Sequence, residues 1–328
     1  MRDGLVVRDR PFEEEDSTLH ACDLRRRGPR AERRPVVCLN PYGRRYTFHA
    51  SCDGLLLLFS CDFYICNPAT RECASLPGMA GSAGVAGMYL HSASGEYRVL
   101  HGRWKKTGDA QTRPATYYYV LAVGSSEAPR PVVRSSSGME AAVLAAGMEH
   151  DQTECCPTAP VMLHGCLHWD PGSWRWDRIV VFDTAQETFR SMSSPAPAAA
   201  SLLEMDATLG ISSCDASDGT VRIWLLQDYG SEAWSLSFRI QLPTMEKTVV
   251  AQVTSLNGET LVCYSDGVFA SSSALFRCDN RGGLLKEFRW RTLEPTITGH
   301  WFKESLLRHA FFQTQDGVGL QPCVFQDL

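Results

Sequence analysis

The stretch from Ser51 to Pro77, SCDGLLLLFSCDFYICNPATRECASLP, constrains this chain more than any other. Asp53-Gly54 is a turn dipeptide. Leu55 to Phe59 is a short, wholly apolar run of strand length, with the composition of a strand buried on both faces. Phe63 to Cys66 is a second run. Asn67-Pro68 ends it, because proline cannot donate to a ladder and restricts the residue before it. Cys73 to Leu76 is a third run, stopped by Pro77. Three short strands joined by tight turns make a meander.

The whole chain extends that pattern. It has 328 residues, 44% of them hydrophobic, enough to bury a sizeable core. All-β folds of this size often form one domain. The net charge of -5 gives no global reason to expect a nucleic acid or an anionic membrane as partner. The N-terminus is charged and lacks the apolar segment of a secretory signal. No apolar run approaches the ~18 residues of a membrane helix. The thirteen cysteines are an odd number with no regular framework. In a chain without a signal they read as reduced thiols, many buried as small hydrophobes, in a cytoplasmic or nuclear protein.

Residues 1–35 read as a poorly ordered charged tail. Glu13-Glu14-Glu15-Asp16 is followed by Arg25-Arg26-Arg27, Arg30, Arg33 and Arg34. The arginines fit a nuclear-localisation or nucleic-acid patch, but a self-compensating solvated tail is the preferred reading. No aromatic residues interleave them, as a single-strand platform would need. Val36 to Leu39 is the expected first strand, and Tyr46 to His49 returns it. Gly78, Gly81, Gly84 and Gly87 recur at every third position without a following Gly-Lys-Ser/Thr, so they read as a flexible loop and not a P-loop. Thr116 to Val123 is strongly β-favouring, and Ala141 to Ala145 is a weaker strand candidate. Val161 to Trp169 reads as a hairpin turning at His164-Gly165. Arg178 to Asp183 and Glu187 to Met192 form another antiparallel pair, and Pro195 to Leu203 a linker or short helix. Asp218 to Trp224 leads to Gln227-Asp228-Tyr229-Gly230 and then Trp234. Asn257-Gly258 is a strong hairpin signal. Many short strands at short spacing predict a sandwich or a propeller.

These strings carry a resemblance. Cys52, Asp53, Gly54 and Leu55, then Asn67, Pro68 and Arg71, then Pro77, resemble the opening of the plant F-box-associated propeller domain, especially of the large grass F-box family. Tyr97-Arg98-Val99, the hairpin ending at Trp169, the strand ending at Asp183, and the Trp224, Tyr229-Gly230, Trp234 series are similar to that family in order. Glu304-Ser305-Leu306 resembles its C-terminal segment. The resemblance implies an all-β, kelch- or WD-like β-propeller over residues 36–310, with tails at 1–35 and 311–328. At roughly 40–50 residues per four-stranded blade, it would hold about six blades.

The family also implies a role. Its propeller is the substrate-recognition part of Skp–cullin–F-box ubiquitin ligases, and an F-box before it docks the Skp-type adaptor. No Leu-Pro opening or Cys-Lys-Ser-Trp-like stretch precedes Cys52. The expectation is therefore a monomeric protein-interaction module holding an unidentified target protein. It would bind the adaptor only if an F-box-like segment exists. No nucleic acid or membrane partner is expected.

Enzyme chemistry finds little support in the residues. There is no G-x-S-x-G elbow and no cysteine-protease signature. Cys52, Cys61, Cys66 and Cys73 contain no C-x-x-C pair, and core thiols are preferred to a zinc site. His164, Cys166 and His168 alternate, but the turn at His164-Gly165 breaks that alternation. Cys155-Cys156 reads as a loop with incidental thiols. Asp218-Gly219 is similar to an Asp-box turn, and DGTVRIW to one WD repeat. A glycan-acting propeller enzyme and a WD-type scaffold are therefore the alternatives. No catalytic residue, metal or cofactor is assigned. Candidate partner-binding residues are the loop aromatics and basic residues Trp104, Lys105, Lys106, Trp174, Arg175, Trp176 and Tyr229, of the types that dominate interface energetics. Trp169, Trp224 and Trp234 read as packing.

Overall fold

In the computed structural model the described residues are 3–9, 18–23, 32–39, 46–82, 84–105, 115–132, 159–171, 177–196, 200–215, 219–241, 249–256, 259–265, 273–279, 283–289, 295–312 and 325. They form antiparallel strands grouped into six four-stranded sheets. The first sheet joins β1 (Asp3–Asp9), β2 (Thr18–Asp23) and β3 (Glu32–Cys38) to β24 (Pro295–Lys303), in the order β24-β1-β2-β3. The second holds β4 (Thr47–Cys52), β5 (Leu55–Phe59), β6 (Phe63–Asn67) and β7 (Glu72–Ser75). The third holds β8 (Gly84–His91), β9 (Glu96–Lys105), β10 (Ala115–Ala122) and β11 (Arg130–Pro131). The fourth runs β12 (Val161–Leu163), β13 (Cys166–Trp169), β14 (Ile179–Asp183) and β15 (Thr188–Met192). The fifth runs β16 (Ser201–Met205), β17 (Thr208–Asp215), β18 (Thr220–Asp228) and β19 (Ala233–Gln241). The sixth runs β20 (Val249–Leu256), β21 (Glu259–Ser265), β22 (Ser273–Cys278) and β23 (Leu284–Arg289).

The core lies between successive sheets. Leu19, Val37, Phe48 and Leu56 join the first to the second. Leu55, Leu57, Ile65, Val85 and Val99 join the second to the third. The wholly apolar Leu55–Leu58 is buried on both faces because it faces a neighbouring sheet on each side. Tyr89, Trp169, Phe182 and Phe189 fill the next layer. Ile179, Val181, Leu209 and Ile211 fill the one after, and Val221, Ile223, Ile240, Val253 and Phe276 the last. The first strands neighbour one another in space: β24 by β4, β4 by β8, β12 by β16, β16 by β20, and β20 by β24.

The N-terminal segment corrects an expectation. The stretch read as a poorly ordered tail supplies β1, β2 and β3. Leu5 pairs with Cys22 on one side and with Trp301 on the other. The pairing partner on β24 is nearly 300 positions away in sequence, so local composition carried no sign of it. The expected first strand from Val36 is the end of β3. The C-terminal residues expected as a tail also pack. Phe311 and Phe312 lie against the core between the second and third sheets, and Phe325 is buried in the layer between the first and second.

Three smaller expectations change. Gly84 and Gly87 are in β8, not in a loop. Gly87 sits where a Cβ would press on Leu167 at 3.0 Å, so the glycine serves close packing between sheets. The linker expected to run to Leu203 stops short of β16. Cys66 and Cys73, expected as separate thiols, are disulfide-bonded, because β6 and β7 pair them directly opposite one another with Cα atoms 4.2 Å apart. The stretch Ala141 to Ala145, Cys155-Cys156 and the Asn257-Gly258 turn lie outside the described residues.

Candidate functional site: two ends of the sheets

In a four-stranded antiparallel meander the first and third turns fall at one end and the second turn at the other. The candidate residues divide accordingly. Trp104 and Lys105 are the last positions of β9, before its connection to β10. Lys106 lies in that connection, outside the described residues. Trp174, Arg175 and Trp176 also lie outside them, between β13 and β14. Both connections are second turns. Tyr229 lies in a third turn, between β18 and β19.

The end holding Tyr229 is tied together sheet by sheet. His164 takes positive φ of 49° at the turn into β13, beside Gly165 at 71°. Its ring meets the edge of Tyr229 at 5.4 Å. The His168 Nδ1 lies 3.1 Å from the Val161 carbonyl oxygen. That oxygen only accepts, so Nδ1 carries the proton and Nε2 is left as an acceptor. The Tyr229 hydroxyl then donates to Nε2 at 2.7 Å, and Arg190 donates to the same hydroxyl oxygen at 2.7 Å. The Arg190 guanidinium also covers the Tyr229 ring at 5.0 Å. Burial pushes His168 down to about 4, and the Arg190 charge adds to this. Burial pushes the Tyr229 hydroxyl up. Tyr229 thus locks the fourth sheet to the fifth.

Glu187 performs the same task between the third and fourth sheets. It stands in the turn from β14 to β15 with φ of 53°. It accepts from Arg98 at 2.6 Å and from Tyr89 at 3.1 Å, and pairs with Arg130 at 2.9 Å. Arg98 also donates to Glu96 at 3.0 Å. The Arg98 and Glu187 side chains are 11% and 13% exposed, so this pair is shielded and multiply bonded, unlike a surface ion pair. The Tyr97 hydroxyl reaches Asp53 at 3.4 Å, linking the second sheet to the third.

The family-like string at Cys52–Pro77 holds a strap that follows β24. Gly54 has φ of 89°, and a Cβ there would overlap the Lys303 carbonyl oxygen and meet Ser305 Cβ at 2.9 Å. Only glycine allows that approach. Asn67 is fully buried. Its amide donates to the carbonyl oxygens of Ser305 and Leu307 at 3.1 and 3.2 Å, while its Oδ1 accepts from the Ala69 N–H. His309 then stacks on Phe311 at 5.0 Å and meets Tyr97 edge-on. Arg34 of β3 pairs with Glu304 at 3.0 Å.

The remaining motif residues serve turns and packing. Asp53 and Arg71 adopt positive φ of 49° and 56°. Leu55 is fully buried, and Pro77 opens a single 3-10 turn, Pro77–Met79. Pro68 follows the buried Asn67 in the turn to β7. Asp183 Oδ1 accepts from the N–H groups of Ala185 and Gln186. Trp169 is buried and its indole N–H donates to the Ala86 carbonyl across sheets at 3.1 Å. Trp224 and Trp234 pack on the layer between the fourth and fifth sheets. Cys52 is half-buried, and its thiol is pushed up to about 12 by burial and by Asp53. No helix of the described residues is long and apolar enough to cross a membrane.

A family model described as the F-box associated beta propeller domain matches residues 35–280. No curated protein matches the chain. Solved structures with a similar course include S. cerevisiae Dbp5 bound to Nup159, Gle1, IP6 and ADP, at 10% identity and TM-score 0.40, covering 74% of this chain and 60% of that one. A puromycin-hydrolysing peptidase of Mycobacterium tuberculosis is 14% identical, with TM-score 0.43 over 86% of this chain and 43% of that one. A triple arginine mutant of AofleA from Arthrobotrys oligospora is 11% identical, with TM-score 0.36 over 76% and 72%. The chain thus spans less than two thirds of the first two of these structures.

Proposed function

The chain belongs to the F-box associated β-propeller family, and from that premise we propose that it is a non-enzymatic module that holds a target protein, as the substrate-recognition part of a Skp–cullin–F-box ubiquitin ligase does. The family match over residues 35–280 is the observation that carries the reading. Each of the six sheets is then one blade, and the target sits on the end bearing Trp104–Lys106 and Trp174–Trp176. The residues in these connections are of the aromatic and basic types that dominate interface energetics. At the opposite end, Tyr229, Arg190, Glu187 and Asn67 are engaged in contacts between sheets and with the strap.

Adaptor docking is a separate question. Residues 3–9, 18–23 and 32–38 are strands of the first sheet, so a helical adaptor-binding segment has to lie elsewhere. A pull-down of the chain with a Skp-type adaptor, beside a version fused to a known F-box, tests this. The reading predicts that the fusion binds and carries its target into the complex. A fusion that binds the adaptor yet retains no protein on the propeller would overturn the target-holding role.

A further inference from the structure

Outer strands of β-sheets present unpaired N–H and C=O groups, and proteins blunt them by shortness, charge, proline or bulges. Five of the six outer strands here are short or carry several charges or a proline, and the sixth, β19, is long with one charge and one bulge. Strand β3 carries Arg33, Arg34 and Pro35. Strands β7 and β11 are four and two residues long. Strand β15 has five residues and includes Arg190. Strand β23 carries Lys286, Glu287 and Arg289. Strand β19, AWSLSFRIQ, is nine residues long with Arg239 as its one charged side chain. It pairs with β18 and ends the order of its sheet.

The side chains of β19 add a direction. The register slips between Ile223 and Trp224, leaving Ser237 as an extra residue. Such a bulge changes which face later residues take. Trp234 accordingly packs toward the fourth sheet, while Phe238 and Ile240 pack toward the sixth. Leu236 and Arg239 then share the first of these faces. Leu236 is 38% exposed. Arg239 lies opposite Arg222 in register, and Arg222 is paired with Asp215 at 3.3 Å. Arg239 makes no ion pair among the described residues.

We infer that β19 is a docking edge for an extended segment of a partner protein, which adds as a fifth strand with an apolar residue beside Leu236 and a carboxylate beside Arg239. Main-chain hydrogen bonds supply affinity in this mode, and alternate side chains supply specificity. The inference rests on the protein-interaction reading but places a second contact on the flank of the fifth sheet, away from the loop ends.

The test uses the full chain and a fluorescein-labelled peptide of about eight residues in which valine and glutamate take successive positions of one strand face, with serine at each position between them, read by fluorescence anisotropy. Binding is expected, and N-methylation of alternate peptide nitrogens should weaken it at least about tenfold by removing ladder donors. Leu236→Lys and Arg239→Glu should each weaken it to a similar degree. Arg239→Glu should in turn favour the peptide with lysine in place of glutamate. Circular dichroism verifies the fold of each variant, and Arg239→Gln serves if Arg239→Glu fails to fold. Absence of peptide binding, or binding indifferent to N-methylation and to Arg239, overturns the docking edge. Sedimentation showing self-association that Leu236→Lys abolishes would assign the edge to a second copy and also overturn it. Retention of a target by Leu236→Lys at wild-type level would leave the interaction reading intact while removing this edge from it.

Discussion

The Asn67 side-chain amide donates to the carbonyl oxygen of Leu307, 240 positions later in the chain, at 3.2 Å. The same nitrogen serves Ser305, so one fully buried side chain fastens the strap that follows the last strand. Replacing it with alanine leaves two carbonyl oxygens without this donor. Asn67→Ala is expected to cost about 1–3 kcal/mol and to accelerate hydrogen exchange at residues 304–312 more than elsewhere. Urea unfolding and exchange mass spectrometry check the two parts.

The sequence made the second sheet readable almost strand for strand, since Leu55–Phe59, Phe63–Asn67 and Glu72–Ser75 follow the runs between turn residues. Asp53-Gly54 and His164-Gly165 turn as expected, with positive φ at all four residues. What stayed hidden depended on distant partners. The strands of the N-terminal segment are completed by β24, and Asn67 reads locally as the end of a strand. Its second role depends on Ser305 and Leu307, which no local pattern connects to it. Tyr229 was legible as a turn residue beside a tryptophan, but its bonds to His168 and Arg190 follow from the packing of one sheet on the next.

Gly54 tests the same strap from the backbone side. Gly54→Ala places a methyl group against the Lys303 carbonyl at a φ of 89°. Strain of this kind typically costs about 1–3 kcal/mol. The variant should unfold at lower denaturant, and Gly95→Ala, where a Cβ meets nothing within 4 Å, should lose less because only the positive φ opposes it.

The first sheet needs both chain ends. Deleting residues 1–38 removes three of its four strands and strips the cover from Phe48, Leu56 and Leu58. The truncated chain is expected to lose cooperative unfolding and near-ultraviolet circular dichroism. A sharp, wild-type-like transition would show that the first sheet contributes little.

Buried histidines set an acid limit. Burial lowers His101 and His168 to about 4 and His300 to about 3, against an unfolded value of 6.5. Between these values the unfolded chain binds the extra protons. The stability they contribute is therefore complete above about pH 6.5 and is lost as pH falls toward 4 and 3. A shift from 6.5 to about 4 at His168 corresponds to about 3 kcal/mol. Denaturation at a series of pH values should show His168→Gln flattening that slope, with a lower stability at pH 7 from the altered contact to Tyr229.

The target-holding account is tested most directly by photo-crosslinking from both ends of the sheets. A benzophenone amino acid is placed at Trp104 or Trp176 for one end and at Leu306, exposed on the strap, for the other. Crosslinked products are then compared in cell extract, with alanine at the remaining loop tryptophans as control. The account predicts a discrete protein adduct from Trp104 and Trp176 that those alanine substitutions abolish, and none of that mass from Leu306. The same adduct from Leu306 alone, or adducts indifferent to loss of the tryptophans, would contradict it.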